Sequence, residues 1–348
     1  MTRPPDPRTH AMKAVGYKKS LPIEDAQSLI DLQIERPAAS GHDLLVKVAA
    51  VSVNPVDVKI RAARAPAGDA PEILGWDAVG EVVEAGDQVS GFKPGDQVWY
   101  AGAINRPGTN AEYHLVDARI VGRAPVSASH AEAAALPLTA LTAHEMLFDR
   151  LRVNDAVPGA AKAIVIIGGA GGVGSIAIQL LRALTDLTVI ATASRAETQA
   201  WVKSLGAHHA IDHSQPLAAQ IEALGIGAPS FVFSTNYSDS YVSQISEFIA
   251  PQGRFGLIDD PEHFDIRPFK AKAISIHWEL MFTRSLFTTP DIARQGEILT
   301  EVAALLDAGK IKSTATQTLG LVNAENLKRA HAILESGKAK GKLVLEGF

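Results

Sequence analysis

Apolar and polar positions divide the chain into two regimes. From Met12 to about Val126 the apolar runs are short, and Gly and Pro interrupt them closely. Strands are predicted at Lys13 to Gly16, Asp43 to Val53, Ala78 to Ala85, Gln97 to Tyr100 and Ala111 to Val116, with clear alternation in Leu44-Leu45-Val46-Lys47-Val48. Such a series reads as a compact β-barrel-like domain. Ala131 to Arg150 is rich in Ala, Leu and Glu and reads as helix, interrupted near Pro137. From 163 to about 280 the pattern changes to strands at 163–168, 187–193, 209–212, 230–234, 253–258 and 273–277, with helices between most of them. That order predicts a doubly wound parallel sheet of the Rossmann kind. A helix over 291–308 and another over Asn326 to Ser336, closed by Gly337, follow. The final strand, Lys342 to Glu346, is expected to return to the first domain and make it discontinuous.

The break in the run Ala163-Ile164-Val165-Ile166-Ile167 carries chemistry. It passes into Gly168-Gly169-Ala170-Gly171-Gly172-Val173-Gly174-Ser175 and then into a helix from Ile176 to Leu184. Gly169, Gly171 and Gly174 satisfy GxGxxG: the first permits a tight turn, the second lets backbone N–H groups approach a pyrophosphate, and the third lets helix pack on strand. The helix N-terminus adds partial positive charge. Gly169, Ala170, Gly171, Gly172, Val173 and Gly174 are therefore candidate dinucleotide contacts, against the alternative of a structural turn. The next strand ends in Ala193-Ser194-Arg195, with no carboxylate where an NAD site places one for the ribose hydroxyls. Arg195 offers a planar fork of donors and Ser194 a hydroxyl, a pattern that favours NADPH over NADH. The alternative for Arg195 is an exposed residue opening the next helix.

Composition narrows the field. At 348 residues the chain has room for about two domains. With 47% hydrophobic and 20% charged residues and a formal charge of -5, it reads as a globular protein with no basic surface for nucleic acid. No run has bilayer-spanning length, and Met1 to His10 lacks the apolar centre of a signal peptide, so residues 1–11 read as a disordered leader and the cytoplasm as the location. The absence of cysteine excludes disulfides, thiol nucleophiles and every cysteine-containing zinc site.

Several further segments, in this order, carry a resemblance. They are Ser52-Val53-Asn54-Pro55-Val56-Asp57, Leu74-Gly75-Trp76-Asp77-Ala78-Val79-Gly80, Phe92-Lys93-Pro94-Gly95-Asp96-Gln97-Val98, Asn110-Ala111-Glu112-Tyr113 and Ala134 to Ala143, beside the glycine turn. The chain resembles the medium-chain dehydrogenase/reductase superfamily in its zinc-free quinone-oxidoreductase branch, and especially its zinc-type alcohol dehydrogenase-like members. The likeness runs from Met12 to Leu345. It implies a GroES-like β-barrel catalytic domain over 12–138, completed by about 310–348, and a Rossmann NADPH-binding domain over 139–309. It also implies a homodimer joined near the aromatic segment Ile276 to Arg284. Zinc enzymes of this superfamily carry Cys where this chain has Asn54, Gly-His-Glu where it has Gly75-Trp76-Asp77, and Cys around Leu138, so the metal is expected to be absent. The rival set His208, His209, Asp212 and His213 straddles a predicted strand, where i, i+4 spacing does not repeat a face.

Loss of zinc constrains the reaction. A simple aldehyde concentrates charge on one oxygen, where zinc acts as Lewis acid; a quinone or α,β-unsaturated carbonyl spreads the charge, so a few donors suffice. The resemblance implies NADPH-dependent reduction of such a conjugated acceptor. Candidate donors are the Asn54 amide, the Tyr100 hydroxyl and the nicotinamide ribose, with water delivering the final proton. Asn54 alternatively caps its turn, and Tyr100 is alternatively a core aromatic. Trp76 forms an aromatic wall or fills the former metal position. His213, where relatives carry Tyr, faces the 2′-phosphate or lies at the surface. Ser234 and the Leu257 backbone end strands on the cofactor side, and Lys342 approaches the pyrophosphate or is an exposed lysine. A non-catalytic NADPH-binding sensor or crystallin-like protein, and a zinc alcohol dehydrogenase with unconventional ligands, are the alternatives.

Overall fold

A computed structural model describes residues 11–348, in two compact units: 11–138 with Phe282–Gly309 and Ser313–Phe348, and Thr139–Met281 with Lys310–Lys312. The leader expected over 1–11 lies outside the described residues except for Ala11, which opens the first strand. The segment 282–309, expected with the nucleotide domain, belongs to the first unit. The reason is visible in its packing: Gly296 lies so close to the Val121 and Arg119 carbonyls that a Cβ would strike them.

The first unit is built from β1 (Ala11–Tyr17), β2 (Ile30–Glu35), β3 (Asp43–Val53), helix α1 (Pro55–Ala63), β4 (Glu72–Ile73), β5 (Ala78–Ala85), β6 (Gln97–Tyr100), β7 (Tyr113–Asp117), β8 (Gly122–Arg123) and α2 (His130–Ala134). Strand β3 shows why alternation predicted it: Lys47 is exposed while Leu45, Val46 and Val48 are buried. Helix α1 was not expected. Its signals are a cap residue Asn54, Pro55 at the first helical position and Asp57 in the first turn, whose Oδ2 accepts the Asn54 N–H at 2.8 Å.

The second unit begins within α3 (Pro137–His144), which a π-helical turn over Glu145–Arg150 follows, so the helix expected over 131–150 with an interruption near Pro137 is made of three pieces, α2, α3 and the π turn. Then come β9 (Ala161–Ile167), α4 (Gly172–Leu184), β10 (Thr188–Thr192), α5 (Ala196–Ser204), β11 (His209–Ile211), α6 (Leu217–Ala223), β12 (Pro229–Ser234), α7 (Ser238–Phe248), β13 (Arg254–Leu257) and β14 (Ser275–Trp278). These six strands form one sheet in the order β11-β10-β9-β12-β13-β14, with every pairing parallel. This is the doubly wound Rossmann order. Central β9 is buried on both faces, as its unbroken apolar run requires, and residues 163–167 are no more than 1% exposed.

The chain then adds α8 (Thr283–Leu286), α9 (Arg294–Asp307), β15 (Ala315–Thr318), α10 (Ala324–Glu335) and β16 (Lys342–Glu346). Strand β16 pairs antiparallel with β3, Leu343 opposite Val53, so the last strand does complete the first unit. The resulting sheet runs β15-β16-β3-β5-β6-β8, with β7 also paired to β3.

Candidate functional site

Two half-sites emerge, each within its own unit. In the second, β9 ends at Ile167 and the chain turns through Gly168, whose φ of 79° favours glycine. A Cβ at Gly174 would collide with the Gly168 carbonyl and lie 2.7 Å from Gly169 Cα, so only glycine lets α4 start this close to the strand. Gly171 has almost nothing beside its Cβ position, which leaves a concavity. The first helical bond of α4 runs from Ser175 N–H to Gly171 O at 2.9 Å. The N–H groups of Gly172, Val173 and Gly174 precede it and have no helical acceptor. An anion fits there.

At the ends of β10 and β11 the polar groups gather. Thr192 Oγ1 accepts the Gly168 N–H at 3.1 Å and lies 3.3 Å from His213 Nδ1. Ser194 and Arg195 follow β10 and are exposed, and no carboxylate occupies the tip. Burial, reinforced by the Arg195 charge and opposed by Asp212, holds the half-buried His213 toward its neutral form. The structure thus brings together Gly169 to Gly174 with Thr192 and His213. It turns Ser234 inward: this residue is 0% exposed, and its hydroxyl accepts from Ser238 Oγ at 2.8 Å. Leu257 ends β13, and its carbonyl accepts the Glu279 N–H at 3.2 Å.

The first unit holds a buried polar cluster centred on Asp77. Register explains it: β3 pairs with β5 so that Val51 faces Ala78, placing Asp77 beside Ser52, and β16 beside β3 places Lys342 near Asn54. Asp77 Oδ2 accepts from Ser52 Oγ (2.7 Å), Asn54 Nδ2 (2.7 Å) and Lys342 Nζ (3.0 Å), while Oδ1 accepts the Leu138 N–H (2.7 Å). Lys342 Nζ also donates to Asn54 Oδ1. A charged carboxylate removed from water is tolerable because these donors and one cation satisfy it. Beneath it, burial lifts the Asp57 carboxyl to about 7, against the Asn54 N–H and Lys342.

Several expectations are corrected here. Lys342 is 3% exposed and committed to Asp77 and Asn54, so it is neither a surface lysine nor a free cation for pyrophosphate. Tyr100 is 0% exposed; its hydroxyl lies 3.1 Å from His114 Nδ1, and because His114 Nε2 lies 2.9 Å from the Pro107 carbonyl, Tyr100 is the donor. Its ring stacks on His114 at 5.4 Å, and burial drives the His114 pKa down to about 4. Tyr100 is a core aromatic. Trp76 is 1% exposed, donates to Ala103 O at 3.3 Å and meets Phe282 edge to face at 6.2 Å. Asn54 is fully buried, its amide committed to Asp77. Sequence reasoning missed the central role of Asp77 and the burial of Asp57; the Asn-Pro-x-Asp cap was the available signal for the latter.

Residues 40–142 match the alcohol dehydrogenase GroES-like domain family, and residues 205–345 match a zinc-binding dehydrogenase family. A zinc-type alcohol dehydrogenase-like protein of Staphylococcus aureus (strain MSSA476) is 38% identical over 336 residues, covering 96% of this chain and 99% of that protein. A Rhizobium etli CFN 42 structure, provisionally assigned as a zinc-dependent alcohol dehydrogenase, is 61% identical with a TM-score of 0.96, covering 97% of this chain and 99% of that one. The quinone oxidoreductase of Coxiella burnetii is 26% identical with a TM-score of 0.78, covering 97% and 100%. The chain belongs to the medium-chain dehydrogenase/reductase superfamily, whose fold serves nicotinamide-dependent oxidoreductases.

The zinc implied by these names does not fit the residues present. The resemblance puts the zinc-ligand positions at Asn54, Trp76 and around Leu138, and an indole and an alkyl chain offer no lone pair for a metal. Among the described residues, no three His, Cys, Asp or Glu side chains are grouped to hold a metal ion. His208, from the rival cluster, has Val189 N 2.9 Å from Nδ1 and Arg182 Nη1 2.6 Å from Nε2. The nicotinamide cofactor does fit, on the open turn at Gly171 and the unbonded N–H groups that open α4.

Proposed function

We propose that the protein is a zinc-independent, NADPH-dependent reductase that delivers hydride to a quinone or an α,β-unsaturated carbonyl. The observation that carries this reading is the Asp77–Lys342 cluster, which links Asn54 and Leu138 where the resemblance implies zinc ligands in the metal-dependent members. Without a Lewis acid, an acceptor that spreads the incoming charge over a conjugated system is the reducible one. Gly169 to Gly174 would hold the pyrophosphate, and Arg195, Ser194 and His213 the 2′-phosphate, where a carboxylate would repel it. NADPH supplies the hydride when bound; water supplies the final proton, since Asn54, Trp76 and Tyr100 are enclosed. The likeness to a quinone oxidoreductase supports the acceptor class.

A cytoplasmic homodimer is part of this proposal. Strand β14 ends its sheet, and Trp278 and Leu280 beside that edge are 60% and 51% exposed, a feature suited to a second copy. No helix among the described residues is long and apolar enough to cross a membrane. Burial of all three candidate catalytic side chains favours one second reading, an NADPH-binding sensor without turnover. Metal analysis joined to a steady-state assay tests the zinc-independent reading: stoichiometric zinc in the purified protein, with activity lost to a chelator, would overturn it.

A further inference from the structure

Thr192 ends β10 and is 0% exposed, at a place where valine would fill the space without a hydroxyl to satisfy. Both of its oxygens serve the glycine turn. The backbone carbonyl accepts the Gly169 N–H at 3.2 Å, and Oγ1 accepts the Gly168 N–H at 3.1 Å. Strand register adds a third partner. Thr192 lies opposite Ile211 on parallel β11, and His213, two residues further on, places Nδ1 3.3 Å from the same hydroxyl.

The direction of this last contact follows from the hydrogens available. The Gly168 N–H can only donate, so it does not take the hydroxyl hydrogen. A buried hydroxyl keeps its hydrogen on an acceptor, and among the described residues His213 Nδ1 is the acceptor within reach. Nδ1 therefore presents its lone pair, and the imidazole hydrogen sits on Nε2. The ring is half-buried, and its Nε2 makes no hydrogen bond to a described residue. Neighbouring Asp212 does not hold it, since Oδ1 of that carboxylate accepts the Ser214 N–H and hydroxyl instead. In a doubly wound sheet the end of this second strand is where the adenosine ribose lies.

We propose that Thr192 is a positioning residue that aims His213, with its Nε2 hydrogen outward, as a donor to the 2′-phosphate of NADPH. One hydroxyl thereby ties the turn that receives the pyrophosphate to the side chain that selects the cofactor. The selection step rests on the NADPH reading above; the hydrogen-bonded chain Gly168–Thr192–His213 does not.

Two measurements test this. Long-range proton–nitrogen NMR of the protein without cofactor, at about pH 8 where histidine is neutral, reads the His213 tautomer. The hydrogen is expected on Nε2; a hydrogen on Nδ1 would overturn the chain. Isothermal titration reads the role. Thr192→Val should weaken NADPH about tenfold more than NADH, and Thr192→Ser, which keeps the hydroxyl, should hold the wild-type ratio of the two affinities. Thr192→Ala gives the same comparison should the valine variant fail to fold. In a His213→Phe background, removing the Thr192 hydroxyl should leave that ratio unchanged. Equal losses of NADPH and NADH on removing the hydroxyl, or a ratio that still shifts in the His213→Phe background, would overturn the positioning role. Absence of NADPH binding in the wild type would sink the cofactor reading instead, while the tautomer still decides the chain.

Discussion

Lys342 Nζ lies 3.0 Å from Asp77 Oδ2, and the two side chains are 4% and 0% exposed. The pair joins the start of the last strand to the turn before β5, so a chain end about 265 residues away in sequence secures the first unit. A buried ion pair with its remaining lone pairs satisfied is costly to break from one side only.

Lys342→Met should therefore destabilise the protein by about 3–5 kcal/mol, and Asp77→Asn by a comparable amount. The double variant Asp77→Asn with Lys342→Met should lose less than the sum of the two. Denaturant unfolding of all three measures this; additive single losses below about 1 kcal/mol would show the pair to be incidental.

Asp57 gives a signed pH dependence. Burial lifts its carboxyl from the ordinary 3.8 to about 7, so the folded protein binds this proton more tightly than the unfolded chain does. Its contribution to stability is full below about pH 4 and is lost as pH rises through about 7. Asp57→Asn should remove that part of the slope while still accepting the Asn54 N–H. A wild-type-minus-variant difference in unfolding free energy that stays constant from about pH 4 to 8 would contradict this.

Tyr100→Phe separates a core aromatic from a catalytic donor. Removing the hydroxyl leaves His114 Nδ1 without its donor and should cost about 1–2 kcal/mol of stability, with turnover per folded molecule unchanged. A large fall in kcat with unchanged thermal midpoint would return Tyr100 to the chemistry.

Two substitutions address the cofactor. Gly174→Ala places a methyl against the Gly168 carbonyl and Gly169, and should weaken both NADPH and NADH at least tenfold. Arg195→Ala should instead weaken NADPH about tenfold or more and leave NADH nearly unchanged, since only NADPH carries the extra phosphate. Isothermal titration with both cofactors distinguishes the two patterns; equal losses for Arg195→Ala would remove it from the phosphate site.

Much of the architecture was legible in the sequence because its signals are local. The unbroken apolar run of β9, the glycines after it and the alternating strand and helix segments predict the parallel sheet, and the apolar strand at Lys342–Glu346 pairs with β3 of the first unit. What escaped depends on pairing between distant segments. Lys342 reads as a surface residue at a strand start until β16 is laid beside β3; Tyr100 reads as a free hydroxyl until His114 is stacked on it. The missed helix α1 is a different case, since its Asn-Pro-x-Asp cap was there to be read.

The most direct measurement is NADPH oxidation by chelator-treated protein against small quinones, enals, enones and simple saturated aldehydes, with NADH run in parallel. The account predicts turnover confined to the conjugated acceptors, faster with NADPH and indifferent to the chelator. Turnover of saturated aldehydes that the chelator abolishes and zinc restores would contradict it.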